Sequence, residues 1–172
     1  MLTLVESTLD FSLSTSCSIQ LSGFTLVSGS FSEGRNFRLR LTDTPQNLDP
    51  FSFTKLYANA VARPLNLTID LTNVTTVGSC SPATLTPKGF FILPRYDSNA
   101  TTGVVLFKKA DTNGYTGCYN LLTNEYRLGL NYLPLVLLGE VGSTPSTNNR
   151  LLSLTTVSGQ EPENTYIIIW GD

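Results

Sequence analysis

At 172 residues the chain has the length of one ordinary domain, and its 11 Lys and Arg nearly balance its 13 Asp and Glu. A net charge of −2 and a charged content of 14% give no electrostatic case for nucleic acid. Histidine is absent, which excludes Ser-His-Asp, Cys-His and His-based zinc arrangements.

The 23 Thr and 17 Ser against 6 Ala favour strands and turns over helices, because Thr suits a pleated surface and Ser competes with helix hydrogen bonds. No stretch approaches the roughly 20 apolar residues of a membrane span, so no membrane insertion is expected. The N-terminus lacks a basic region followed by an apolar run, and no signal peptide is expected there. Cys17, Cys80 and Cys118 do not have metal-site spacing. An odd count permits one disulfide with a free thiol, an intermolecular bridge, or none, and buried free thiols are the ordinary reading.

In chain order, Leu9, Phe11 and Leu13 share one parity. Ile19 and Leu21 form a second short pattern, and Gly23 is placed for a bulge before Phe24 and Leu26. Phe37, Leu39 and Leu41 alternate with Arg38, Arg40 and Thr42, a half-buried strand with its arginines on the wet face. Residues 42–50 read as an irregular loop, and Lys55 to Ala62 is the only window suited to a helical turn. Leu65, Leu67, Ile69 and Leu71 alternate strictly with Asn66, Thr68, Asp70 and Thr72, as in an antiparallel strand buried on one face.

The apolar runs Phe90 to Leu93 and Val104 to Phe107 read as strands buried on both faces. The polar turn between them predicts a hairpin, and Asn113-Gly114 a second tight turn. Tyr126, Leu128, Leu130 and Tyr132 alternate; Pro134 places the run to Leu138 at an edge or a bulge. Further strands follow near Leu152 and from Tyr166 to Trp170. About ten short strands, long loops and little helix predict an all-β, compact antiparallel β-barrel or β-sandwich, a single domain over residues 1–172.

Catalysis has little support. Only Glu161 and Glu163 are close carboxylates, and a solvated loop explains them. No catalytic residue, metal ligand or cofactor is expected. Three sequons occur, Asn66-Leu67-Thr68, Asn73-Val74-Thr75 and Asn99-Ala100-Thr101; a chain rich in Asn and Thr produces such triplets by chance. Loops on a rigid scaffold commonly carry recognition, and Tyr gives contact area at low entropic cost. The candidate binding residues are therefore Asp97, Asn99, Thr101, Asp111, Asn113, Tyr115 and Tyr119 on the central turns. The ordinary reading of Tyr96, Tyr115 and Tyr119 is nonetheless packing against their own sheet.

Ala60-Val61-Ala62-Arg63, Lys88-Gly89-Phe90-Phe91-Ile92-Leu93-Pro94, the Gly-led strand Gly103 to Phe107, Gly114-Tyr115 and Tyr119-Asn120 occur in an order and spacing that resembles the protruding domain of hepatitis E virus capsid proteins. That family is structurally akin to the capsid spikes of astroviruses, and the resemblance spans roughly Ala60 to Leu138. It implies a β-barrel-like spike on the virion surface that forms a homodimer through an apolar face. Its outer loops would engage a host-cell receptor, protein or glycan, and would be targets of neutralising antibodies. A carbohydrate-binding β-sandwich head of a viral fibre or bacterial adhesin is the alternative reading of the same composition.

Overall fold

The computed structural model describes residues 8–12, 17–21, 24–29, 36–41, 44–45, 50–117, 125–130, 135–138 and 143–172. The fold is all-β, with fifteen strands and no helix among the described residues. Its contacts divide the chain into two compact units, residues 1–54 and 55–172.

In the N-terminal unit, β1 (Thr8–Ser12), β2 (Cys17–Leu21), β3 (Phe24–Gly29), β4 (Asn36–Leu41) and β5 (Ser52–Phe53) form one sheet in the order β3-β2-β1-β4-β5. All its pairs are antiparallel except the short β4–β5 contact. The β2–β3 register shifts between Ile19 and Gln20, which leaves Leu26 without a partner. Gly23, the expected bulge, lies outside the described residues.

The C-terminal unit holds two four-stranded sheets. One runs β13 (Leu135–Leu138), β10 (Pro87–Arg95), β15 (Asn164–Gly171), β6 (Lys55–Ala62). The other runs β12 (Tyr126–Gly129), β11 (Gly103–Lys109), β14 (Leu151–Gly159), β7 (Asn66–Asp70). The orders match position by position, because β6 leads to β7, β10 to β11, β12 to β13 and β14 to β15, each time changing sheet. A small ribbon of β8 (Val74–Thr75) and β9 (Pro82–Ala83) follows β7. The result is a sandwich of open sheets, not the closed barrel that was the other expected form.

Three sequence expectations change here. β10 and β11 do not pair as a hairpin; they face each other across the core, with the Phe90 and Phe107 rings 5.6 Å apart and tilted by 54°. Their ladder partners are the later apolar strands, β15 beside β10 and β14 beside β11. Lys55 to Ala62 is an eight-residue strand rather than a helical turn, because its full length pairs with β15 and tertiary pairing overrides its helix-compatible composition. Asn113 does take the left-handed conformation at φ 53°, but its turn returns the chain to the start of β14: the Asn113 carbonyl accepts from the amides of Arg150 and Leu151, both at 2.9 Å.

Alternation decides the core. Leu65, Ile69, Phe90, Ile92, Val105, Phe107, Leu128, Leu152, Leu154, Ile167 and Ile169 point between the sheets and are buried. Filled side chains of this size contribute about 1.5–3 kcal/mol each on leaving water. β7 shows the predicted alternation, with Asn66 and Thr68 exposed and Ile69 buried. β13 occupies the sheet edge expected of the run after Pro134, itself outside the described residues. Cys80 is an exposed free thiol, not a buried one.

Candidate functional site

The sequence-derived candidates fall at opposite ends of β11. Seven residues of strand separate them, about 20 Å at the usual rise. Asp97, Asn99 and Thr101 lie before it, and Asp111, Asn113 and Tyr115 after it. Tyr119 lies outside the described residues.

At the first end, Asp97 organises the tip. Its Oδ1 accepts from the Asn99 amide at 2.9 Å, and its carbonyl accepts from the Ala100 amide at 3.0 Å, an Asx turn closing a β-turn. The tip is then tied to the β14–β15 connection. Gln160 Oε1 accepts from the Thr101 amide at 2.7 Å, and the Gln160 amide donates to the Thr102 carbonyl at 3.0 Å. Asp97, Asn99 and Thr101 are exposed on this anchored loop. The neighbouring Tyr96 packs against the core as one of the two readings expected, its burial raising the phenol pKa.

Two glycines permit the close approach. Gly159 sits at φ 73°, and a Cβ there would lie 2.7 Å from the Gly103 nitrogen. A Cβ on Gly103 would collide with the Tyr96 ring. The β11–β14 register slips here, since Val104 pairs with Ser158 but Val105 with Thr156. Val157 is pushed out of the ladder and is 44% exposed. Bulges of this kind re-aim side chains beside working surfaces.

Next to the bulge lies an open depression of about 600 Å³, lined by Thr101, Thr102, Gly103, Val104, Leu130, Ser158 and Gly159. Val104 and Leu130 supply apolar contact, while Thr101, Thr102 and Ser158 supply hydroxyls. None of the described lining side chains carries a charge, so the surface they form suits a neutral partner. Val157, Ser158, Gln160 and Leu130 were absent from the sequence-derived set. The turn signal Ser158-Gly159 was readable, but a bulge depends on register and leaves no local signature.

The second end is built differently. Lys108 Nζ donates to Asp111 Oδ1 at 2.7 Å, and that bond is the main influence raising the Lys108 pKa, against burial and with Glu125 adding. Tyr115 is fully buried, so it is a core residue and offers nothing to a receptor. Its hydroxyl donates to the Ser143 carbonyl at 2.6 Å, and its amide to Leu151 at 2.9 Å. The turn that looked exposed in sequence folds its aromatic ring back under residues 143–151. Asp111 is exposed and Asn113 half-buried, its carbonyl already engaged. Glu161 and Glu163 are half-buried in the β14–β15 connection. Among the described residues no group of three or more His, Cys, Asp or Glu is placed to hold a metal ion.

The chain matches no known protein family, curated protein or solved structure.

Proposed function

We propose that this chain is a non-enzymatic spike domain of a viral capsid, exposed on the virion, that attaches to a host-cell receptor and is recognised by neutralising antibodies. The observation that carries this reading is the tip at residues 97–102, exposed yet anchored through Gln160, beside the uncharged depression and the protruding Val157. A preorganised loop pays less ordering entropy on binding than a free one. The resemblance over residues 60–138 supports the viral assignment and a homodimer.

Val157→Asp and Thr101→Ala, made in bacterially expressed protein, place a charge and remove a hydroxyl at positions outside the core. Both are expected to reduce binding of the domain to susceptible cells, measured by flow cytometry, with the melting temperature nearly unchanged. Wild-type binding by both variants would remove this end from the attachment surface. The uncharged, hydroxyl-lined depression also favours a second reading, a carbohydrate-binding fibre or adhesin head. A trimer by light scattering, together with selective retention of neutral glycans on an array, would favour that reading over the dimeric spike.

A further inference from the structure

The sequons at Asn66 and Asn73 play no part in the attachment reading, while the one at Asn99 lies on the attachment tip; the structure exposes all three alike. In each, the Asn and the Thr are exposed while the residue between them is turned inward: Asn66 and Thr68 flank half-buried Leu67, Asn73 and Thr75 flank buried Val74, and Asn99 and Thr101 flank half-buried Ala100. A glycan on any of the three asparagines would project into solvent without disturbing the core.

Asn66 has a second distinction. It begins β7, the outermost strand of its sheet among the described residues. The Leu65 carbonyl accepts from the Thr156 amide, and the Leu71 amide donates to the Arg150 carbonyl, so the odd-numbered peptide groups face β14. By strand alternation those of Asn66 and Thr68 face the open side. Natural edges are blunted by Lys, Pro, bulges or inward charges. β7 contains neither Lys nor Pro, and its register with β14 is unbroken. Its one charge, Asp70, is bound by Thr72 and Arg150.

We propose that Asn66 is an N-glycan acceptor and that its glycan caps this open strand edge, with Asn73 as a further acceptor. In the transfer, the Asn66 amide nitrogen attacks the anomeric carbon of a lipid-linked oligosaccharide diphosphate. The C–N bond forms, the bond from that carbon to the diphosphate oxygen breaks, and the amide proton leaves as the lipid diphosphate departs. Thr68 supplies the hydroxyl that the transferase reads.

The test is to secrete the whole chain from eukaryotic cells behind an added signal peptide and to map occupied sites by mass spectrometry after amidase treatment, which leaves Asp at each glycosylated Asn. Asn66 is expected to be occupied. Asn66→Gln and Thr68→Ala should each lose that glycan alone and sediment as concentration-dependent assemblies larger than the parent, whereas Thr68→Ser should behave as the parent. Should a variant fail to be secreted, enzymatic deglycosylation of the folded parent makes the same comparison. An unoccupied Asn66 in secreted, folded protein overturns the acceptor assignment. Assembly unchanged by loss of the glycan overturns the capping role.

Discussion

The two sheets of the C-terminal unit share one core but treat their outer faces in opposite ways. On the β10 sheet the outer face carries Phe91, Ile168 and Trp170, at 0%, 2% and 0% exposure, with Leu56 beside them at 3%. On the β11 sheet the corresponding face carries Thr68, Arg127 and Ser158, all exposed, half-buried Ser153, Thr155 and Lys108, and one buried apolar side chain, Leu106 at 7%. Strands of the first sheet are thus apolar at successive positions, while β7 in the second alternates. Stability is concentrated where both faces are buried. The β11 sheet leaves most of its outer face free, Leu106 excepted, and the bulge, the depression and the Asn66 edge all belong to it.

Truncations should expose that difference most strongly. Phe91→Ala is expected to cost about 3–5 kcal/mol, the usual loss for a buried aromatic, against under about 0.5 kcal/mol for Ser158→Ala on the other outer face. Chemical denaturation measures both, and similar costs would erase the contrast between the sheets. Adding atoms is the complementary test. Trp170 lies across Gly89, and a Cβ there would occupy the space of the indole ring. Gly89→Ala should therefore cost about 1–3 kcal/mol through overpacking. An unchanged melting temperature would mean that the indole moves aside freely.

A smaller effect is expected at the end of β11. Tyr115→Phe keeps the ring in the core and removes only its hydrogen bond to Ser143, for about 0.5–1.5 kcal/mol. Tyr115→Ala should lose several times more, because the ring itself is buried. If the two variants were equally stable, the ring would not be contributing to the core.

Much of this was legible in sequence because burial dictates periodicity. Leu65 to Thr72 displays its one-face burial directly, and Phe90 to Leu93 its two-face burial. The pairing was not legible. A run buried on both faces fits a hairpin or a crossing between sheets equally well, and the choice is made by β14 and β15, roughly forty to eighty residues away. For the same reason Lys55 to Ala62 looked helical until its partner was known. At the candidate site, Asp97 and Asn99 announced their turn through local chemistry. Val157 could not be found, because its exposure results from a register shift; Tyr115 stood among the binding candidates while its ordinary reading was the packed one, and the burial of its ring decides for packing.

The finest test of the contrast concerns Asp70, where the β11 sheet meets its loops. Burial alone would raise its pKa, but the Thr72 hydroxyl and amide, at 2.6 and 3.0 Å, and the Arg150 guanidinium, at 3.1 Å, hold the carboxyl below its ordinary value of 3.8. A carboxyl with a depressed folded-state pKa contributes stability that is fully present above the unfolded value. That contribution is lost as pH falls through the folded value, because the unfolded chain then binds the proton first. Asp70→Asn should therefore lower stability modestly at neutral pH and have less effect as pH falls below about 4. The pair is partly solvent-exposed, so the difference should also shrink with added salt. Urea midpoints for both proteins between pH 2 and pH 7 supply the measurement. A constant gap across that range would assign Asp70 a packing role and leave the carboxylate without influence on the acid limb.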